Sequence, residues 1–379
     1  MKLPRGFERA PDVLALGGEL KAAFCLTSAG EAVLSPPRGD LEDVDTFDAF
    51  RRDLGHYAAL HRHSPCAVIA DCHPEYLSSK LARGQTLPVI EVQHHHAHLA
   101  ACLVENGRAL DAPPVLGIVL DGLGWGADGT IWGGEFLLAD YRGAQRLGTF
   151  KPVAMLGGAQ AIHEPWRSLY AHLMAEMGWA KLAMDFGALE LCRFLAAKPR
   201  ATLDAMLKSG LNSPLASSCG RLFDAVAAAV GICRERQRFE GEAPSRLEAI
   251  IDENEGLAYP FTLPSLRGSG LPYVEPLAMW NALLGDLLAG APPGVIAARF
   301  HKGLARALAA MAARHRARFD TVALSGGCFQ NRVLAEETLR RLQAEGFTVL
   351  RHAQVPAHDG GLALGQAAIG AAQLMSGAR

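Results

Sequence analysis

No apolar run in this 379-residue chain reaches the roughly 18 residues that a membrane-crossing helix requires. The opening MKLPRGFERAPDVLALGG lacks the apolar segment and small-residue cleavage site of a secretory signal. Eight cysteines are scattered at Cys25, Cys66, Cys72, Cys102, Cys192, Cys219, Cys233 and Cys328, and none forms CxxC. Zinc-ribbon spacing is therefore excluded, and a reduced, cytoplasmic chain is expected. Neither sign of charge dominates: 37 Lys and Arg stand against 39 Asp and Glu, a formal net charge of −2. That balance makes no electrostatic case for nucleic acid, and no membrane partner is expected. The Walker pattern GxxxxGK[ST] is also missing.

What is present is globular: 50% hydrophobic and 20% charged residues, over a length that favours two lobes. DVLALGGELKAAFCL and EAVLS predict a β-hairpin, residues 45–62 a helix, and CAVIAD and PVIEV two strands. A helix is expected over 94–106 and a connection at DAPPVLG. VLGIVLDGLGWGADGTIWGGEFLLADY then predicts an apolar strand, a glycine-rich turn and a return strand. Two glycine-turned hairpin blocks hint at internal duplication. Residues 165–255 read as mostly helical, with segments near 166–176, 186–196, 199–208 and 219–231. SLRGSGLPYVEP is a loop, and helices follow at about 276–290 and 293–317. The end alternates strand (321–326), helix (329–344), strand (347–352) and helix (361–375), which implies α/β sheets covered by helices.

The stretch EVQHHHAHLAACLV crowds four histidines at a helix start. His94 and His98 are four apart, so a helix puts both imidazoles on one face, about 5–6 Å apart at Cβ. Such a pair can bind a transition metal, or can be a polar helix start with stacked or solvated rings. Asp121, at the end of an apolar strand, and Asp359, in PAHDGG before a helix, are candidate carboxylate ligands or turn-forming and capping residues. The loops DGLGWGADGTIWGGE and LSGGCFQN fit phosphate nests or plain tight turns. The second follows a strand and opens a helix, whose dipole would favour an anion. SSCGRLFDAVAAAVG offers Ser217 or Ser218 as a helix cap, and it and FEGEAPSRLE fit ordinary helix packing as well as a site. Cys328 reads as a small buried thiol rather than a nucleophile.

In order, GGELK, ADCHPEY, VQHHHAHLAA, DGLGWGADGTIWGGEF, GGAQAIHEPWR, SSCGRLFDAVAA, FEGEAPSRLE, LSGGCFQNRVL and VPAHDGGLALGQAA resemble the C-terminal module of the HypF family of hydrogenase-maturation carbamoyltransferases. The resemblance runs from about residue 12 to 376. It implies an actin-like, sugar-kinase-like (ASKHA) fold: α/β, two lobes, duplicated mixed sheets flanked by helices. The lobes expected are residues 1–112, with the HxxxH motif, and residues 113–379, with the nucleotide loops and a helical insertion. The last helix is expected to pack back on the first lobe. The acylphosphatase, Cys-rich zinc and YrdC-like sequences that precede this module in the family are not seen here, and LPRGFERAP resembles the linker after the YrdC-like domain, as in a short form.

The resemblance also implies a site. His94, His98 and Asp359, with Asp121 as a further acidic position, would hold iron or zinc. His94, His98 and Asp121 would be catalytic. ATP or AMP, as carbamoyl-adenylate, would lie against Gly122, Gly124, Gly126, Gly133, Gly134, Glu135, Ser218, Gly220, Asp224, Glu240, Gly326, Gly327 and Asn331, with Mg admitted beside it. The implied reaction takes carbamoyl phosphate and ATP to carbamoyl-adenylate and passes the carbamoyl group to the terminal cysteine of HypE for cyanide-ligand synthesis. Adenylation is expected from a separate domain or protein. Ala159, His163 and His358 depart from the family's usual Asp, Arg and Asn. The competing readings are a small-molecule O-carbamoyltransferase, a tRNA-modifying relative and a non-catalytic nucleotide-binding maturation subunit.

Overall fold

The computed structural model describes residues 1–377. Its strands gather in two mixed sheets built on one plan. The first sheet uses β1 (Val13–Ala15), β2 (Cys25–Ser28), β3 (Glu31–Leu34), β4 (Ala67–Asp71) and β5 (Val89–Val92), in the order β3-β2-β1-β4-β5. The first three strands pair antiparallel, while β1–β4 and β4–β5 pair parallel. The second sheet begins with β6 (Val115–Trp125), β7 (Ile131–Ala139) and β8 (Ala144–Phe150). The short strands β9 (Val153–Ala154), β10 (Leu215–Ala216) and β11 (Tyr273–Val274) follow, then β12 (Thr321–Ser325) and β13 (Thr348–Arg351). Its main path β8-β7-β6-β12-β13 repeats the strand order and directions of the first sheet. The duplication hinted at by the two hairpin blocks is thus a duplication of topology, the two-lobed α/β architecture expected.

Helices α1 (Val44–Leu60) and α2 (Leu77–Arg83) cover the outer face of the first sheet, where Phe50 packs with Leu16, Phe24 and Val68. Helix α3 (His94–Glu105) joins the sheets. Between β9 and β10 run α4 (Gln160–His163), α5 (Pro165–Glu176), α6 (Gly178–Phe186), α7 (Glu190–Ala196) and α8 (Arg200–Ser209). Next come α9 (Cys219–Ala229), α10 (Glu242–Ala249), α11 (Leu277–Leu288), α12 (Pro293–Arg314), α13 (Arg332–Ala344) and α14 (Leu362–Met375). α3 and α14 fill the space between the sheets. α14 lies against β1 and β4, α3 against β6 and β12, and the two helices lie against each other. Their sequences say why: His94–Val104 and Leu362–Ala372 are buried throughout, and helices buried on every side belong in an interior. Gly365 permits the contact, since a Cβ there would sit 1.8 Å from Ala97 O.

Several expectations change. The glycine-rich stretch 121–125 is not a turn but the far half of β6; the turn lies at 126–130. The expected 186–196 helix is divided, with Phe186 ending α6 and Glu190 starting α7. The hairpin at the start is a three-stranded meander. α2 and β8 carry weaker patterns and had no counterpart in the sequence reading.

Candidate active site

The site forms where both sheets end. α3 starts directly after β5, and Gln93 caps it, its side chain accepting the His96 N–H at 2.9 Å. His94 and His98 then face the same way, with ring centroids 4.8 Å apart. His96 turns aside to Asp140 O at 2.6 Å, and His95 Nδ1 meets the Gln93 amide at 3.2 Å. Asp121 comes from an interruption in the β6–β7 ladder: Leu120 opposes Gly134 and Gly124 opposes Trp132, leaving Asp121–Leu123 against Gly133 alone. Such a bulge re-aims a side chain that a regular strand would send elsewhere. Gly124 leaves room for the imidazoles, since a Cβ there would be 2.5 Å from His95 Cε1 and 2.7 Å from His94 Cδ2. Asp359 arrives on the loop between β13 and α14.

The four side chains converge. His98 Nε2 lies 3.0 Å from Asp121 Oδ2 and 3.4 Å from Asp359 Oδ1; His94 Nε2 lies 3.4 and 3.8 Å from the same atoms. One ligand atom from each of the four falls within 4.8 Å of the others. Burial opposes charge on His94, yet the Asp71 and Asp121 carboxylates outweigh it and hold the imidazole well above the usual histidine range. Burial likewise opposes charge on His98, and the nearby Asp121 and Asp359 carboxylates raise it. Burial works to raise Asp121, but the two imidazoles bring its carboxyl well below the usual range.

Two imidazoles and two carboxylates make a donor set suited to iron or zinc. One observation tests the fit: His98 Nε2 is buried and makes no well-formed hydrogen bond, although two carboxylates are near it. A buried ring nitrogen aimed at a carboxylate cluster without bonding to it fits a metal ligand better than a structural imidazole.

Asp71 was missed by the sequence reading. It ends β4, is fully buried, and its Oδ2 lies 2.8 Å from His94 Nδ1 while Oδ1 accepts the His73 N–H at 2.8 Å. A carboxylate behind a ligand histidine fixes its tautomer and raises its basicity. Its signals were an Asp closing the apolar run CAVIAD, a pattern shared with ordinary turns, and its place in the motif ADCHPEY. From the first sheet, a Cβ on Gly18 would be 3.4 Å from Asp359 Oδ2, and Gln366 of α14 exchanges two hydrogen bonds with the Gly17 backbone.

The residues expected around a nucleotide divide into two groups. Gly327 lies at the cluster, its would-be Cβ 3.0 Å from Asp121 Oδ1. Gly326 needs its left-handed φ of 98° and abuts Leu120 O. Gly122, Gly133, Ser218 and Gly220 make a tight junction between β6, β7 and the start of α9. There a Cβ on Gly133 would be 2.7 Å from Asp121 O and one on Gly220 2.9 Å from Gly122 Cα. Ser218 caps α9 through the Arg221 N–H and also bonds Gly122 O. Glu240 points at Gly122 and at Arg221, 3.4 Å away. Gly134 packs on Phe150, and Gly126 opens the hairpin tip.

Three of these side chains are committed elsewhere. Glu135 is fully buried, held by Arg146 at 2.6 and 3.0 Å and by Thr149 and Ser217. Asp224 is buried 2.7 Å from Arg221 Nε; burial pushes its carboxyl up to about 6 against the pull of that guanidinium. Asn331 caps α13 through the Leu334 N–H and donates to the buried His301 ring at 2.8 Å. Their types suited a nucleotide, and in the structure each is buried beside protein partners. The neighbouring Cys219 thiol and burial push Cys328 well above the thiol range, against a role as nucleophile.

The fold and the site together define a protein of the actin-like, sugar-kinase-like class with an imidazole–carboxylate centre between its sheets. Residues 8–105 match the HypF Kae1-like domain, and residues 117–366 match the family described as carbamoyltransferase, Kae1-like domain, second subdomain. The chain belongs to the HypF family, in its Kae1-like region. It is 44% identical to carbamoyltransferase HypF of Rhodobacter capsulatus over 99% of this chain and 49% of that protein. It is 37% identical to a carbamoyltransferase HypF homolog of Cupriavidus necator over 98% of this chain and 94% of that one. A crystal structure of full-length HypF in the phosphate- and nucleotide-bound form superposes with a TM-score of 0.88 at 32% identity, over 97% of this chain and 47% of that chain. The chain thus spans about half the length of most curated relatives it matches. No helix among the described residues is long and apolar enough to cross a membrane.

Proposed function

We propose that this chain transfers a carbamoyl group in NiFe-hydrogenase maturation, from carbamoyl-adenylate to the C-terminal cysteine thiol of HypE. The convergence of His94, His98, Asp121 and Asp359 at the ends of both sheets carries this reading. In the transfer an S–C bond forms, the C–O bond to the adenylate phosphate breaks, AMP leaves, and the thiol proton is released. An iron or zinc ion held by the four residues would supply Lewis acidity for such acyl chemistry. The chain's own residues do the rest. Asp71 holds the His94 ring, and Gly327, having no side chain, leaves the space beside Asp121 open for the leaving group. The nucleophile in this reading is the partner's thiol, and the Cys328 thiol beside the cluster is pushed well above the usual thiol range by Cys219 and burial.

Activation of carbamoyl phosphate by ATP is assigned to a separate adenylate-forming domain or protein. The test is mass spectrometry of the HypE C-terminal peptide after incubation with this chain, metal, and carbamoyl-adenylate made by an adenylating domain in trans. A peptide heavier by one carbamoyl group is the expected result. No transfer from preformed carbamoyl-adenylate would favour a non-catalytic nucleotide-binding subunit. Full turnover from carbamoyl phosphate and ATP by the chain alone would overturn the division of labour.

A further inference from the structure

A second buried polar network lies at the other end of α3. Glu105 is its last residue, and its carboxylate receives the chain leaving β13. Oε1 accepts the N–H groups of Ala353 at 2.9 Å, of Gln354, and of Val355 at 3.1 Å, while Oε2 is 2.9 Å from His352 Nδ1. On the other side of that ring, Nε2 is 2.9 Å from Ser325 Oγ, which also bonds the backbone oxygen of His98 at 2.8 Å. Next to Glu105, Asn106 Nδ2 donates to Arg351 O at 3.1 Å.

Ser325, His352 and Glu105 have the order and spacing of a Ser–His–acid triad. The serine, however, is fully buried and engaged with a helix carbonyl, so no substrate reaches it. The network instead joins two things the candidate metal centre needs: the helix bearing His94 and His98, and the loop that delivers Asp359. α3 is rigid. The loop from His352 to His358 is irregular, and besides Glu105 it is tied by few bonds, among them Gly326 N–H to Ala357 O at 3.0 Å. Three successive N–H groups on one carboxylate oxygen form a nest, and bonds to an ionised acceptor are about twice as strong as neutral ones. Burial acts to raise the Glu105 carboxyl, but these donors bring it below the usual range, so it remains charged.

We propose that Glu105 is a positioning residue for the metal centre: by clamping residues 352–355 onto α3, it sets where Asp359 stands relative to His94 and His98. This rests on reading His94, His98, Asp121 and Asp359 as metal ligands. The test is Zn²⁺ affinity, measured by competition with a chromophoric chelator, together with hydrogen exchange at 353–355. Wild type, Glu105→Ala, Glu105→Gln and a distant core control, Leu284→Ala, are compared.

Glu105→Ala is expected to raise exchange at 353–355 and weaken Zn²⁺ binding about 10-fold or more, the range seen when groups behind metal ligands are lost. Leu284→Ala, destabilised in the outer core, is expected to bind Zn²⁺ as wild type does. Glu105→Gln keeps one acceptor for the backbone amides but loses the charge, so it is expected to fold more readily and still bind Zn²⁺ more weakly. Faster exchange at 353–355 with wild-type Zn²⁺ affinity overturns the proposal while leaving the metal site standing. Wild-type affinity in Glu105→Gln overturns it as well, should Glu105→Ala fail to fold. A wild-type chain that binds no Zn²⁺ overturns the ligand reading and the proposal together.

Discussion

Asp71→Asn removes one charge and almost no volume, and its consequence can be worked from the structure. Asp71 is an acceptor at both oxygens, one for His94 Nδ1–H and one for His73 N–H, each at 2.8 Å. An asparagine has a single acceptor oxygen, so its NH₂ group must face one of these two donors. The lost bond in a fully buried place costs about 1–3 kcal/mol of stability. The larger effect is on the metal. Without the carboxylate behind it, His94 is a weaker base with a less certain tautomer, and losses of this kind lower metal affinity about 10–100-fold, or about 1.4–2.8 kcal/mol. Zn²⁺ competition and urea unfolding of the metal-free protein separate the two effects. Metal-free protein weakened by about 1–3 kcal/mol, with weaker Zn²⁺ binding besides, is the expected pattern. Asp71→Asn with wild-type Zn²⁺ affinity would refute the reasoning that the pair Asp71–His94 serves the metal.

Further outcomes follow from the same geometry. Gly365→Ala places a Cβ 1.8 Å from Ala97 O; alanine is normally the better helix residue by about 1 kcal/mol, but here the clash should win and cost about 3 kcal/mol in a urea melt. Gly327→Val presses on Asp121, beginning with a Cβ 3.0 Å from its Oδ1, and should leave a folded protein whose ATP or AMP binding by calorimetry is strongly weakened; unchanged affinity would move the nucleotide elsewhere. Burial lowers His301 to about 4, despite its bond to Ala297 O. Because this folded value lies below that of a free histidine, the unfolded chain takes up the proton first. The stability that neutral His301 contributes is therefore whole above about pH 6.5 and drains away as pH falls toward 4. An NMR titration should show its ring neutral in the folded protein down to near that pH, and titration near 6.5 would contradict this.

The pair His94–His98 was legible in the sequence because i, i+4 spacing is local and survives any tertiary arrangement. Asp359 and Asp121 were legible only through the ordered motifs, since nothing in either neighbourhood says which distant loop meets α3. Asp71 stayed hidden for the same reason: an Asp closing an apolar strand is usually a turn residue, and its role depends on β4 ending beside His94. Glu135 and Asn331 show a different limit. Their side chains suit a nucleotide, but one is buried against Arg146 and the other caps α13, and residue type alone does not reveal burial. The glycines of 121–125 were read as a turn because glycine favours turns. In the structure they are strand residues kept small so that the histidines and the start of α9 can approach. The internal duplication, by contrast, was foreshadowed by two hairpin blocks whose residues hardly agree, because topology outlasts identity.

The central claim is that elements ending both sheets close on one metal ion through His94, His98, Asp121 and Asp359. Elemental analysis of purified, tag-free protein loaded with Zn²⁺ or Fe²⁺ and then desalted tests it most directly, with wild type, His98→Ala and Asp359→Ala measured side by side and their folding checked by circular dichroism. The expected result is one ion per wild-type chain and a large loss in both folded variants. Equal metal content in all three would contradict the claim.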